Sequence, residues 1–215
     1  MTALLAGASG LVGREIAARW AGPGVLHLLV RRAFTPSGTA PGLQRVHVVD
    51  FAALPALPRA EEAYCCLGTT IKAAGSQAAF RAVDLDAVVA VARAAQRAGV
   101  QRFAVVSALG ASPRSPGFYN RVKGEMEEAL AALGFASLVI ARPSLLAGDR
   151  AALGQPPRLG ERLALAVTAP LAPLIPKAWR PIAAATVARA MQRALAEARP
   201  GVRIVESSEL QELGR

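Results

Sequence analysis

Ala3-Leu4-Leu5-Ala6-Gly7-Ala8-Ser9-Gly10-Leu11-Val12-Gly13-Arg14-Glu15-Ile16 decides the architecture of this chain within its first turn of helix. The small apolar residues up to Ala6 read as a buried strand, the glycines at 7, 10 and 13 as a turn, and the run from Arg14 to Trp20 as a helix. Strand, glycine turn and helix in that order are what a dinucleotide pyrophosphate requires. Glycine allows the tight turn and lets backbone amides approach the phosphates, and the helix N-terminus adds partial positive charge. Gly7, Ser9, Gly10, Leu11, Val12 and Gly13 are therefore candidate cofactor-binding residues.

Beyond this turn, short apolar runs at 25–30, 46–49, 63–67, 103–106 and 136–141 each end in a polar or glycine residue. Between and after them, helical spacing predicts helices over 76–98, 117–133 and 183–198. In the first of these, Phe80, Val83, Ala87, Val91 and Ala94 share a side, and Gly99 stands where a C-cap glycine would end it. Near-continuously apolar strands alternating with helices predict a three-layer α/β Rossmann fold, a doubly wound parallel sheet with helices on both faces. Ligands in such folds gather at the carboxyl ends of the strands, where the strand order reverses. The proline-rich segment at about 150–182 is expected to form a small substrate-side lid, and 202–205 a final edge strand, within a single domain spanning 1–215.

A chain of 215 residues is long enough to bury a core without disulfides or metals. Cys65 and Cys66 are adjacent in an apolar run, which suits a reducing compartment better than a structural disulfide. With no basic segment and apolar core ahead of the glycine turn, the expected location is the cytoplasm. The longest uncharged stretch, 163–176, is short and broken by Pro170, Pro173 and Pro176, so no membrane insertion is expected. The net charge of +10 raises the question of nucleic acid. Lysine occurs only at 72, 123 and 177, and the arginines are scattered with no run longer than Arg31-Arg32, so a solvated basic surface is the better reading.

Arg31 and Arg32 close the second strand with no acid nearby, the pattern that accommodates a 2′-phosphate and so points to NADP(H). Asp50 and Phe51 after the third strand read either as an adenine contact or as a turn aspartate and a core phenylalanine. Tyr119 and Lys123 lie four residues apart on one helical face. A phenol titrates near pH ~10 in water and needs a cation beside it to serve as an acid or base at neutral pH, a role for Lys123, which would also bind the nicotinamide ribose of the cofactor. Ser107, at the end of the fifth strand, completes a candidate catalytic group by holding a substrate oxygen.

Gly7 to Gly13, Arg31-Arg32, Tyr64-Cys65-Cys66-Leu67-Gly68-Thr69-Thr70, Phe80-Arg81-Ala82-Val83-Asp84, Tyr119 to Met126, Arg142-Pro143 and the stretch 204–214 together resemble the atypical short-chain dehydrogenases/reductases, and within them the Tat-interacting tumour-suppressor oxidoreductase-like branch. The resemblance implies NADPH binding, with Leu67, Gly68 and Thr69 lining the cofactor and Arg142, Pro143 and Ser144 beside the nicotinamide. It also implies that Asp84 stands where related dehydrogenases place an active-site asparagine. Many relatives carry consecutive serines where this chain has Ser107-Ala108. The expected function is an NADP(H)-dependent oxidoreductase acting on a small-molecule substrate, an apolar carbonyl compound or quinone. The alternative is a non-catalytic NADPH-binding regulator acting through a protein partner. The apolar residues of 154–181 would form a substrate pocket or a homodimer surface.

Overall fold

The computed structural model describes residues 1–36, 43–147 and 176–215. Seven strands form one sheet in the order β3-β2-β1-β4-β5-β6-β9. They are β1 (Ala3–Ala6), β2 (Leu26–Val30), β3 (Gln44–Val48), β4 (Glu62–Cys65), β5 (Arg102–Val106), β6 (Ser137–Arg142) and β9 (Gly201–Glu206). Every adjacent pair is parallel, as the apolar runs predict. The order reverses between β1 and β4, which places the ligand-binding crevice of such a fold at the carboxyl ends of those two strands.

Alternation along each strand divides the core in two. Leu5, Leu28, Tyr64, Ala104 and Val139 face one layer, with α1 (Leu11–Ala18) and α6 (Ala184–Ala196). Leu4, Leu29, Ala63, Phe103 and Leu138 face the other, with α4 (Val88–Arg97) and α5 (Phe118–Ala131). β1 and β4 are buried along their whole length, which is why β1 is apolar on both faces rather than alternating; in β4 the buried Glu62 is met by Arg102 and the Tyr64 hydroxyl.

The helix expected over 76–98 forms with an interruption. Ser76 caps α3 (Gln77–Arg81) by accepting from the Ala79 amide at 3.0 Å. A π-helical turn at Ala82–Ala87 then precedes α4. The wider turn rotates the buried face, so Asp84, Leu85 and Val88 are buried while Val83 and Ala87 are only half-buried. Uniform helical periodicity could not foresee that shift. Further elements went unread: α2 (Ile71–Ala74), α7 (Ser207–Leu213), and a small parallel pair of β7 (Leu146–Ala147) with β8 (Ile182–Ala183). The final edge strand is present as β9, and α2 (Ile71–Ala74) is capped by Thr70. Most of the expected lid lies outside the described residues; its described end holds a 3-10 turn at Lys177–Trp179 and then β8. Among the described residues no helix is long and apolar enough to cross a membrane.

Candidate functional site

The glycine turn sits at the carboxyl end of β1. Gly7 has φ +79°, and a Cβ there would lie 2.7 Å from the Cys66 carbonyl carbon, so the turn is pressed directly against the end of β4. A Cβ at Gly13 would come within 2.2 Å of the Gly7 oxygen, which only glycine avoids. Gly10 is the N-cap of α1 and offers no side-chain cap. The first-turn amides of α1 thus have no side-chain acceptor, and their orphan donors with the helix dipole suit an anionic group. Val12 packs into the core, so only its backbone can serve a ligand, while Leu11 is half-buried against the core's edge.

Arg31 and Arg32 are exposed at the end of β2. Sequence reasoning passed over Arg14, whose guanidinium lies 5.9 Å from the centre of the Phe34 ring just beyond them and whose Nε donates to the Ser9 carbonyl at 3.2 Å. Asp50 accepts from the Ala52 amide at 2.9 Å and Phe51 is 6% exposed within the core. Of the two readings of this pair, the geometry is that of a turn aspartate and a core phenylalanine.

Lys123 crosses from α5 to the ends of β4 and β5. Its Nζ lies 2.8 Å from Asp84 Oδ1, with both side chains almost wholly buried, and 3.5 Å from the Val106 carbonyl oxygen. Asp84 Oδ2 accepts from the Thr69 amide at 2.8 Å. A Cβ on Gly68 would stand 3.9 Å from the ammonium, so Lys123 reaches the loop of Leu67, Gly68 and Thr69. Burial disfavours the lysine's charge, but Asp84 and then Tyr119 outweigh it, and its pKa is raised above the ordinary value. Cys65, buried beside this pair, has its thiol pushed up to about 12 by burial, so it is no thiolate nucleophile at neutral pH. One turn before Lys123, Tyr119 is 38% exposed and its ring packs 5.3 Å from that of Phe80. Gly124 lets this face approach the preceding loop, because a Cβ there would lie 2.1 Å from the Ser112 carbonyl carbon.

Ser107 and Arg142 are placed otherwise than the sequence reading supposes. The Ser107 hydroxyl is buried and donates to Glu127 Oε1 at 2.5 Å. Arg142 grips the same carboxylate through Nε at 3.0 Å and Nη2 at 2.5 Å, and donates from Nη1 to Glu206 at 2.9 Å. In this arrangement the Ser107 proton is directed to Glu127, and the Arg142 guanidinium is held by two carboxylates. Glu127 was missed, although it lies four residues beyond Lys123 on the same helical face. Pro143 is buried and its carbonyl accepts from the Leu109 amide at 2.9 Å, while Ser144 donates to the Arg180 carbonyl at 2.5 Å. These residues tie the segment after β6 to its neighbours. Among the described residues no group of three metal-ligating side chains occurs.

Comparisons with known proteins place the family and the fold. A family model described as NAD(P)H-binding matches residues 7–147. HTATIP2 of Rattus norvegicus is 33% identical over 220 residues, covering 97% of this chain and 87% of that protein. FMP52-1 of Scheffersomyces stipitis is 41% identical over 87 residues, but there the chain spans only 38% of the relative's length. That relative is named as mitochondrial, which corrects the expectation of a cytoplasmic protein drawn from the adjacent cysteines and the N-terminus. Among solved structures, MoeE5 in complex with UDP-glucose and NAD superposes with a TM-score of 0.71 at 17% identity, over 95% of this chain and 75% of that one, a likeness of fold. By the family match and the full-length relative, this chain belongs to the NAD(P)H-binding family, in the branch that includes HTATIP2.

Proposed function

We propose that this protein is an NADP(H)-dependent oxidoreductase of the atypical short-chain dehydrogenase/reductase type, reducing an apolar carbonyl compound or quinone. The observation that carries the reading is the exposed Tyr119 one helical turn from a buried Lys123 paired with Asp84, at the carboxyl ends of the strands, where folds of this kind bind ligands. Bound NADPH supplies the hydride. With an aldehyde or ketone, Tyr119 would give its proton to the carbonyl oxygen as the carbonyl carbon accepts the hydride, so that C=O becomes CH–OH; with a quinone, the same hydride and one proton would yield the hydroquinone. Lys123 stays protonated beside Tyr119 and favours the resulting phenolate. The uncapped N-terminus of α1 holds the pyrophosphate, and exposed Arg31 and Arg32 favour the 2′-phosphate of NADP(H) over NAD(H). The apolar character of the substrate follows from the composition of 154–181.

Calorimetric titration with NADPH and NADH, followed by NADPH-consumption assays on a panel of carbonyl compounds and quinones, tests this. The expected result is preference for NADPH and, in Tyr119→Phe, unchanged NADPH affinity with turnover down roughly 100-fold or more. Binding of neither nucleotide rejects the reading. Tight NADPH binding without turnover on any substrate replaces it with a regulator that answers to cofactor occupancy.

A further inference from the structure

The chain contains two histidines, 20 residues apart in sequence, and the fold sets them against each other. β2 and β3 run parallel with Leu29 opposite His47 and His27 opposite Arg45, so both imidazoles stand on one face near the edge of the sheet. His27 Nδ1 lies 2.8 Å from His47 Nε2, with the ring centres 5.0 Å apart and the ring planes inclined by 45°. Both residues are half-buried, so solvent still reaches the pair, and the reaction proposed above uses neither. Among the described residues they belong to no group of three metal-ligating side chains, which leaves water to fill the other positions around any ion they hold.

Two imidazole nitrogens this close either share one proton or turn two lone pairs toward one metal ion. Their spacing separates the ions they can hold. Nitrogens about 2.0 Å from a metal stand about 2.8 Å apart at the right angle of a tetragonal ion, and about 3.3 Å apart at the tetrahedral angle. We propose that His27 and His47 form a metal chelate at the edge of the sheet, in which His27 Nδ1 and His47 Nε2 take adjacent corners of a tetragonal divalent ion, Cu(II) before Ni(II), and water takes the rest. In the metal-free pair one ring N–H points at the other ring; on binding, that proton moves to the far nitrogen of its own ring and both facing nitrogens become ligands. The rings must be neutral for this. Burial, then His47 and Arg45, lower the His27 pKa, which keeps its imidazole ready to ligate near neutral pH. Arg45 works against a dication as it does against a second proton, although its Nη1 donates to the Gln44 carbonyl at 3.0 Å.

Cu(II) chloride titrated into the purified protein, followed by electron paramagnetic resonance, tests the site. Ni(II), which the free thiols of Cys65 and Cys66 do not reduce, serves as a second probe read by calorimetry. The expected result at about pH 7.5 is one ion per chain with a tetragonal copper signal split by two imidazole nitrogens, and affinity ~10-fold or more weaker at about pH 5.5, where protons compete. His27→Gln and His47→Gln should each weaken both ions ~10-fold or more, with circular dichroism unchanged. If both variants bind as wild type does, the ion sits elsewhere and the proposal falls. Loss in only one variant means a single imidazole holds the ion, which overturns the chelate. A wild-type signal without two nitrogens, or binding equally tight at both pH values, overturns it without recourse to the variants.

Discussion

Two buried ion pairs hang from the same face of α5, one helical turn apart, and they are built differently. Lys123 meets Asp84 as a point charge against one oxygen, nearly sealed from water and beside the exposed phenol of Tyr119. Glu127 is gripped by Arg142 through two nitrogens, shares an oxygen with Ser107, and is extended by Glu206, which is 45% exposed. The guanidinium fork fixes geometry and stays protonated under all ordinary conditions, so the second cluster works as a clasp joining α5 to the ends of β5, β6 and β9. An ammonium can gain or lose its proton according to its surroundings, so the first cluster is the one suited to proton chemistry. Adjacent positions on one helix are thus divided between chemistry and architecture.

The largest effect should come from breaking the sealed pair. Lys123→Met leaves the Asp84 carboxylate buried without its cation and should cost about 3–5 kcal/mol in urea unfolding, with reductase turnover lost as well. Arg142→Ala opens the more hydrated cluster, so a cost of roughly 2–3 kcal/mol is expected, between the ranges for buried and exposed pairs. If the Arg142 variant also abolished turnover while binding NADPH normally, the division between clasp and chemistry would be wrong. Ser107→Ala removes one hydrogen bond to a charged acceptor and leaves Glu127 with Arg142, which points to a loss of about 1.5 kcal/mol. Turnover should survive that change; its loss would restore Ser107 to the catalytic group.

Their pH dependence sharpens the contrast. The folded pKa of Lys123 is raised, so its contribution to stability is complete below the unfolded value and fades as alkaline pH passes through the folded one. At the opposite edge of the sheet His27 Nδ1 lies 2.8 Å from His47 Nε2, and burial, then His47 and Arg45, lower the His27 pKa. The unfolded chain therefore takes up a proton that the folded one resists, and stability should decline as pH falls below 6.5. His27→Gln should flatten this acid limb, the smallest of these effects, and leave the alkaline limb unchanged; chemical unfolding across pH reads both.

Much of the site was legible because its chemistry demands particular residues at short spacing. Gly7 and Gly13 mark a turn that only glycine can make, and Tyr119 and Lys123 share a helical face by their spacing alone. Phe51, Ser107 and Arg142 were harder, since what they pack against or bond to lies on other elements. The roles of a serine hydroxyl or an arginine depend on which carboxylate reaches it first, and Glu127 comes to Ser107 from α5, 20 residues further along the chain.

By itself, the sequence determined the parallel sheet, the order of strands and helices, and the glycine turn at the end of β1, because each follows from the period of apolar residues or from a conformation open to glycine alone. Tertiary structure decided what the buried charges do. Asp84 becomes a partner of Lys123 only because a π turn rotates it inward, and Arg142 becomes a clasp only because Glu127 and Glu206 converge on it. Backbone periodicity is local and survives in sequence, whereas the pairing of charges depends on distances of a few ångströms between segments that meet only in the folded chain.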